Sequence, residues 1–292
     1  MSPALEVVRT GPLALLEDAG RPGWASVGVG RSGAADRSAY RLACRLVGHD
    51  DHPAVLEVLL GGLVVRARGA LTVALAGAPA PARVDGRAVA HRGVVHLPDG
   101  AELSLGTPAS GLRTYLAVRG GLAVEPVLGS RSTDTLSGVG PPPVAPGDVL
   151  PVGPAPRAFP VVDAAPPSAP EAGPAVLDLL PGPRAAWVGG TDVLTGPGWT
   201  VGADSDRVGV RLAPVDGPAV ERAEAFRDAE LPSEGMVRGA VQLPPGGEPV
   251  VVLADHPVTG GYPVVAVLTE GSADRAAQLR PGERVRLRAA RP

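Results

Sequence analysis

Glycine and proline interrupt this chain so often that long helices have little room to form. The 292 residues include 40 glycines and 34 prolines. Glycine favours tight turns and proline removes a backbone donor, so such frequent interruption divides a chain into short segments, as in all-β barrels and sandwiches. Because 45% of the residues are hydrophobic, we predict a packed, mainly β fold with a few short helices.

Short valine-rich segments bounded by Gly, Pro or Asp are the candidate strands, at 71–76, 113–118, 250–254, 264–268 and 284–287. Two other segments have helical spacing of their apolar residues. The first runs from about Gly33 to Val47, and Ser32 is its predicted N-cap. The second runs from Ala273 to Leu279, with Ser272 as its predicted cap.

Two sequence matches predict an internal duplication. DRSAYRL at 36–42 is echoed by DRVGVRL at 206–212, and PGDVL at 146–150 is echoed by PGERV at 281–285. Pro, Ala and Gly dominate the residues between about 137 and 174, which is typical of an extended connector. We therefore predict three parts, a first domain at 1–155, a Pro/Ala-rich connector at 156–173 and a second domain at 174–292.

Charge and hydropathy exclude two classes of partner. The net charge is -3 and aromatic residues make up only 3% of the chain, whereas nucleic-acid binding needs clustered basic residues with stacking aromatics. No segment approaches the roughly 18 apolar residues of a membrane span, and the N-terminus lacks a signal-peptide pattern. We expect a soluble, cytoplasmic protein that acts on a small molecule, without nucleic acid or membrane partners.

The chain contains no lysine, and all 27 basic residues are arginine. It therefore cannot carry lysine-linked biotin, form a Schiff base or supply a P-loop lysine. Cys44 is the single cysteine, which excludes an intrachain disulfide, and its apolar helical surroundings predict a buried thiol. Five histidines are scattered without a ligand motif, so we predict no metal site.

The first cluster of chemically useful residues is LEDAGRPGW at 16–24. Arg21 lies in a predicted turn, where it either projects toward a ligand or pairs with Asp18 to brace the turn. The following GVGRSG at 28–33 resembles a glycine loop at a helix N-terminus, where an anion can bind. Its spacing does not match a dinucleotide-binding fingerprint.

The second cluster joins YLAVRGG at 115–121 to LGSRSTD at 128–134. Arg119 ends a predicted strand at a glycine pair, a position where functional side chains are common. Ser130, Arg131 and Thr133 then crowd donors and acceptors into one loop. Such a loop either braces its own backbone or binds a carboxylate or phosphate.

The third cluster runs from Gln242 into LADHPVTGGYP at 253–263. Asp255 is a candidate general base or orienting group, and Thr259 and Tyr262 occupy the turn that follows. No serine nucleophile accompanies His256, so a Ser-His-Asp triad is not supported.

These clusters, in this order, resemble the KipA family, which comprises the C subunits of 5-oxoprolinase and is also called the biotin-dependent carboxyltransferase subunit family. The resemblance spans nearly the whole chain. The matching motifs are EDAGRPG at 17–23, RSGAADRSAYRLACRLVG at 31–48, LEVLLGG at 56–62, YLAVRGG at 115–121, VLGSRSTDT at 127–135, DSDRVGVRL at 204–212, LPSEGMVRGAVQLPPGG at 231–247, LADHPVTGGYP at 253–263 and RAAQLRPGE at 275–283. His256 departs from the family pattern, in which arginine is usual.

The resemblance implies two related cyclophilin-like β-barrel domains and a role in ATP-dependent opening of 5-oxo-L-proline to L-glutamate. The implied partners are the KipI-type and LamB/YcsF-type proteins, which are the B and A subunits of 5-oxoprolinase. The sequence leaves open which subunit binds ATP, and the site can lie on a partner. One alternative is a carboxyltransferase of the urea carboxylase type, which takes carboxybiotin from a separate carrier. Another is a non-catalytic regulator that binds a KipI-like kinase inhibitor.

The site is expected in the cleft between the domains or against the KipI-type partner. Three aspartates are the candidate catalytic residues: Asp36, Asp206 and Asp255. Ten residues are the candidate substrate-binding residues: Arg21, Arg37, Arg119, Ser130, Arg131, Thr133, Arg207, Gln242, Thr259 and Tyr262. The alternative is that the pairs Asp36-Arg37 and Asp206-Arg207 are structural.

Overall fold

The computed structural model describes residues 3–159, 162–166 and 173–290. The chain divides into two compact units. The first comprises Met1–Arg21, Ser32–Asp134 and Gly138–Ala169, and the second comprises Pro22–Arg31, Thr135–Ser137 and Pro170–Pro292. The division near residue 170 falls in the range predicted as a connector, of which 160–161 and 167–172 lie outside the described residues. The segments Pro22–Arg31 and Thr135–Ser137 belong to the second unit although the residues on either side of them belong to the first. Their positions in the sequence did not predict this.

Eleven strands form the first unit's two sheets. They are β1 (Ala4–Thr10), β2 (Leu13–Glu17), β3 (Val55–Leu59), β4 (Leu63–Arg68), β5 (Leu71–Gly77), β6 (Ala82–Val84), β7 (Arg87–Val89), β8 (Val94–Leu97), β9 (Glu102–Leu105), β10 (Arg113–Val118) and β11 (Val149–Pro151). One sheet has the order β11-β1-β4-β9-β6-β7, and the other has the order β2-β3-β10-β5-β8. All of their pairings are antiparallel.

The two sheets of the first unit share one apolar core. On β4, buried Leu63, Val65 and Ala67 alternate with more exposed residues, as expected of a strand with one face inward. Leu5 of β1 and Leu116 of β10 belong to the same buried cluster although they lie in different sheets. The core therefore holds both sheets together.

A single α-helix, α1 (Arg37–Leu46), packs on the outer face of the second sheet. Its N-cap is Asp36, whose carboxylate accepts a hydrogen bond from the Ala39 amide at 2.9 Å. The predicted cap, Ser32, was wrong. Its φ of 53° places it in the loop before the helix, and its hydroxyl donates to the Thr133 carbonyl.

The second unit is built on a closed barrel of seven strands in the order β12-β19-β16-β17-β14-β13-β20. The strands are β12 (Ala175–Pro181), β13 (Gly198–Val201), β14 (Gly209–Pro214), β16 (Ala240–Gln242), β17 (Val250–Val252), β19 (Val264–Leu268) and β20 (Arg284–Ala289), and a separate two-stranded sheet joins β15 (Glu234–Gly235) to β18 (Thr259–Gly260). Only the pairing of β12 with β20 is parallel among the described strands of this barrel. Closure leaves the barrel without exposed sheet edges.

Two short helices accompany the barrel, α2 (Asp192–Thr195) and α3 (Glu270–Ala276). Thr269 caps α3 and accepts a hydrogen bond from the Ser272 amide. The predicted cap, Ser272, was therefore wrong, because its hydroxyl instead accepts a hydrogen bond from the Asp178 amide of β12 at 2.8 Å. The helix begins three residues earlier than its apolar spacing predicted.

One of the two repeat matches corresponds to equivalent structure and the other does not. PGDVL at 146–150 and PGERV at 281–285 each form a turn that enters a strand, β11 and β20. DRSAYRL at 36–42 caps and begins α1, whereas DRVGVRL at 206–212 forms a turn and β14. The Asp-Arg match therefore does not correspond to equivalent local structure in the two units.

The predicted fold class, mainly β with a few short helices, is confirmed. The predicted strands at 113–118 and 264–268 match β10 and β19 residue for residue. In the part of the chain that the structure describes, no helix is long and apolar enough to cross a membrane.

We predict that Cys44 is inert in the folded protein. The thiol is buried on the inner face of α1, and burial raises its pKa to about 12. Relative to an exposed thiol, the thiolate fraction at pH 8 falls roughly a thousandfold, and alkylation by iodoacetamide should slow in proportion. Labelling in guanidinium chloride provides the control, and modification of native protein at the unfolded rate would contradict the prediction.

Candidate functional site

The carboxylate of Asp18 brings the first two sequence clusters together within the first unit. Its Oδ1 accepts hydrogen bonds from the Gly20 amide at 2.7 Å, the Ser130 hydroxyl at 2.6 Å and the Ser132 hydroxyl at 2.7 Å. Its Oδ2 accepts from the Arg131 amide at 2.6 Å. Ser130 is therefore a structural partner of Asp18. Because Asp18 follows β2 and accepts hydrogen bonds from residues 130–132, its carboxylate fixes the loop after Leu128 against the loop after β2.

Arg21 follows Asp18 and is only 1% exposed. Its Nη2 donates to the Ser132 carbonyl, whereas its Nε and Nη1 contact no described acceptor, the Asp18 carboxylate included. The predicted pairing of Arg21 with Asp18 is therefore not the contact that holds the Arg21 side chain. A Cβ at Gly140, whose φ is +107°, would overlap the Ser132 carbonyl and approach Nη2, so glycine is required beside the guanidinium.

Two atoms of the Arg21 guanidinium, Nε and Nη1, thus have no hydrogen-bond partner among the described residues. The hydroxyl of Thr133 is also buried without a partner there, and Thr133 is joined by its peptide bond to the carbonyl that Arg21 contacts. An unpaired buried guanidinium is costly, and its planar donors match the oxygens of a carboxylate. These two residues, which we call the Arg21–Thr133 site, are the first unit's candidates for binding an anionic group.

Arg119 makes structural contacts at the end of β10. Its guanidinium donates to the carbonyls of Val47, Pro156 and Ala158, at 3.0 Å to Val47 and 2.8 Å to Ala158. It also stacks on the Phe159 ring at 3.8 Å from the centroid. These contacts fix residues 156–159 against the first unit, and substrate binding by Arg119 stays a prediction.

The side chain of Arg131 donates from Nε to the Val124 carbonyl at 2.5 Å, so it too makes a local contact within the first unit. Arg37 is the first residue of α1 and is half-buried. Asp36 is occupied as the cap of that helix. Their predicted roles in binding and catalysis also stay predictions.

A buried network that sequence reasoning missed fixes the start of α1. The Tyr115 hydroxyl accepts a hydrogen bond from the Asp36 amide at 2.7 Å and donates to Glu57 at 2.8 Å. Arg113 lies 3.2 Å from the other Glu57 oxygen, and the Ala35 amide donates to this carboxylate at 3.0 Å. Burial, then the charges of Glu57 and Asp36, raise the pKa of Tyr115 well above its usual range, so it remains a donor. In the sequence, Glu57 stands between apolar residues in the strand VLEVL, and this feature could have indicated a buried polar network.

The glycine loop at 28–33 does not form the predicted anion site at a helix N-terminus. The helix begins only at Arg37, and the carboxylate of Asp36 already accepts from its first turn. A negative side chain at this position would repel a bound anion. The prediction for this loop was therefore wrong.

Asp255 is the most constrained carboxylate of the second unit. It is 0% exposed, and its Oδ2 accepts from Arg207 Nε at 2.8 Å, the Thr135 hydroxyl at 2.7 Å and the Thr135 amide at 2.9 Å. Arg207 Nη2 approaches Oδ1 at 3.2 Å, which makes the ion pair bidentate. These contacts position Thr135, and a general-base role for Asp255 stays a prediction.

Asp206 does not share the environment of Asp255. It is exposed, and its Oδ1 accepts from the amides of Val208 and Gly209 in the turn before β14. This contact pattern is that of a turn-forming aspartate. Its predicted catalytic role stays a prediction.

The remaining predicted binding residues lie around the small β15–β18 sheet. Gln242 donates to the Tyr262 carbonyl at 3.3 Å and contacts the sulfur of Met236 at 3.4 Å. Thr259 pairs with Gly235 in that sheet. The Tyr262 side chain is 46% exposed and accessible to a ligand. Their roles in substrate binding stay predictions.

Among the residues that the structure describes, no three His, Cys, Asp or Glu side chains are grouped so that they could hold a metal ion. The polar clusters of both units instead consist of guanidinium, hydroxyl and carboxylate groups.

Replacement of Asp255 by Asn should destabilise the second unit by about 3–5 kcal/mol, because it breaks the buried ion pair between Asp255 and Arg207. Urea unfolding measures the loss. Asp204→Asn, an exposed aspartate in the same turn region, is the matched control. Equal stability of the two variants would show that the ion pair does not stabilise the fold.

Tyr115→Phe should destabilise the first unit by about 1–3 kcal/mol, because the Asp36 amide and the Glu57 carboxylate both lose a buried partner. Thermal and urea unfolding test this expectation. Tyr262→Phe removes the hydroxyl of an exposed tyrosine and should leave stability unchanged. A Tyr115→Phe variant as stable as wild type would contradict a structural role for the network.

Comparison with known proteins places these clusters in a family context. The model of the carboxyltransferase domain, subdomains A and B, matches residues 27–289. The chain is 35% identical to the C subunit of 5-oxoprolinase from Escherichia coli, over 96% of this chain and 89% of that protein. It is 30% identical to urea amidolyase of Saccharomyces cerevisiae over 97% of this chain, but it spans only 16% of that longer protein.

A solved structure shows the same fold. The crystal structure of TTHA0988 superposes with a TM-score of 0.86 at 35% identity and covers 99% of this chain. This chain spans 56% of TTHA0988, so that protein contains further sequence beyond the shared part.

Proposed function

Because the chain belongs to the carboxyltransferase-domain family, we propose that it is the C subunit of an ATP-dependent 5-oxoprolinase, which opens 5-oxo-L-proline to L-glutamate. The observation that carries this proposal is the match to the corresponding protein of E. coli, which extends over 96% of this chain and 89% of the relative. The proposed partners are a KipI-type protein (the B subunit of the enzyme) and a LamB/YcsF-type protein (the A subunit of the enzyme).

The Arg21–Thr133 site supports this proposal with a chemical role for the first unit. 5-Oxoproline carries one carboxylate, and the site offers Nε, Nη1 and the Thr133 hydroxyl as donors without partners among the described residues. In a buried, low-dielectric environment a charge-assisted hydrogen bond is stronger than at the surface. Arg21 would bind the carboxylate, and Thr133 would orient it.

The lactam of 5-oxoproline is a poor electrophile, and ATP supplies the activation needed to open it. The chain has no lysine for a P-loop. We therefore assign ATP binding to a partner protein and derive no step through it for this chain.

Carboxyl transfer is the second candidate function, favoured by the family itself and by the 30% identity to yeast urea amidolyase. Biotin would have to arrive on another protein, because this chain has no lysine to carry it. The Arg21–Thr133 site would then bind the transferred carboxyl group. In both candidate functions, Arg21 and Thr133 bind a carboxylate group. It belongs to 5-oxoproline in the first and is the transferred carboxyl group in the second.

The assay is ATP-dependent glutamate formation from 5-oxoproline by this chain mixed with its KipI-type and LamB/YcsF-type partners. Turnover should disappear when any one of the three proteins is omitted. Turnover by the two partners alone would overturn the assignment. Activity that requires a biotinylated carrier and is blocked by avidin would favour carboxyl transfer instead.

Within the active assembly, Arg21→Gln should raise KM for 5-oxoproline about 10-fold or more, because a charged hydrogen bond contributes about 1.5–3 kcal/mol. Thr133→Val should raise KM by a smaller factor. Arg286→Gln, which changes an exposed arginine of the second unit, is the control for charge. If folded Arg21→Gln protein keeps wild-type KM, the guanidinium does not bind the substrate.

A further inference from the structure

The second unit contains a cavity of about 750 Å³, within the size range of small-molecule sites. One wall is the turn that follows β16, and the other is the segment between β14 and β15. Its lining includes Glu221, Arg222, Arg227, Asp228, Leu243 and Gly247. None of the residues predicted to bind or transform the substrate lines it.

Direct contacts fix the two walls of this cavity against each other. The Val220 amide donates to the Gly247 carbonyl at 2.9 Å, and the Gly247 amide donates to the Pro244 carbonyl at 3.0 Å. Gly247 has a φ of +75°, and a Cβ there would overlap the Val220 carbonyl and approach Ala219. The close approach therefore requires glycine at this position, which is one of the residues that line the cavity.

Arg222 is held in place on one side of the cavity. Its Nη1 donates to the Ala229 carbonyl at 3.1 Å, and its guanidinium lies 5.3 Å from the centre of the Trp187 ring. Trp187 stacks in turn on Phe226, with their ring centres 5.1 Å apart. Arg222 is thus fixed by the protein while its Nε and Nη2 make no hydrogen bond to any described residue.

The charges that line the cavity are not neutralised by one another. The residues that line the cavity include two arginines, Arg222 and Arg227, and two acidic residues, Glu221 and Asp228. Within the described residues none of the four takes part in an ion pair at 4.0 Å or less. The cavity therefore presents both signs of charge, beside apolar surface from Leu243 and the neighbouring prolines.

We propose that this cavity binds a free α-amino acid in its zwitterionic form. The guanidiniums match the α-carboxylate, since arginine forms planar, charge-assisted hydrogen bonds with carboxylates. The acidic side chains match the α-ammonium group. The apolar wall formed by Leu243, Pro244 and Pro245 is available to aliphatic carbons of the ligand. This inference does not depend on the reaction proposed above.

The test is isothermal titration of the purified chain, without partner proteins, in an amino-acid-free buffer. The probes are L-glutamate, L-glutamine, L-proline and L-leucine, with glutarate as the analogue of glutamate that lacks the ammonium group. At least one amino acid should bind, and glutarate should bind at least 10-fold more weakly than glutamate.

Two single variants separate the two charges of the ligand. Arg227→Gln and Asp228→Asn should each weaken the amino acid about 10-fold or more, because each removes one charged partner. Both side chains are exposed, so the fold should be unaffected. Arg286→Gln, distant in sequence and also exposed, should bind with wild-type affinity.

Three results would overturn the proposal. The first is the absence of binding by every amino acid at millimolar concentration. The second is equal binding of glutarate and glutamate together with no effect of Asp228→Asn, which would identify an anion site. The third is wild-type affinity of Arg227→Gln, which would place the bound ligand elsewhere. Since no turnover is measured, failure here leaves the oxoprolinase proposal intact.

Discussion

The carboxylate of Asp18 is the acceptor on which the polar interior of the first unit depends. By accepting from two serine hydroxyls and two backbone amides, it determines the path of the loop around Ser132. That path places the Ser132 carbonyl against Arg21 Nη2. The rest of the guanidinium is left without a partner among the described residues, and ligand binding by Arg21 stays a prediction.

The arginines of this protein differ in how many of their hydrogen-bond donors the protein itself uses. Arg119 donates to three carbonyls and stacks on an aromatic ring, and Arg207 is paired bidentately with Asp255. Arg21, by contrast, is buried and retains two nitrogens, Nε and Nη1, without a hydrogen-bond partner among the described residues. A ligand can gain most where the protein has left charge unpaired, because fewer existing contacts must be broken.

Much of the β architecture could be predicted because strand patterns are local. The strand RTYLAV was bounded correctly at Arg113 and Val118, since strand-favouring residues and flanking glycines act over a few positions. Helix caps were less predictable. Serine, threonine and aspartate can all cap a helix, and Asp36 was preferred over Ser32 because the loop holds Ser32 at positive φ and directs its hydroxyl toward Thr133.

The sequence by itself determined the mainly β class, the family and the chemical limits set by a chain without lysine. It also identified the short motifs that contain Asp18, Arg21 and Thr133. Only the tertiary structure decided which polar groups satisfy each other and which do not. Glu57 and Arg113 meet across neighbouring strands, and the cavity around Arg227 is assembled from two separate segments. Such pairings depend on distances between residues far apart in the chain, which composition and spacing do not contain.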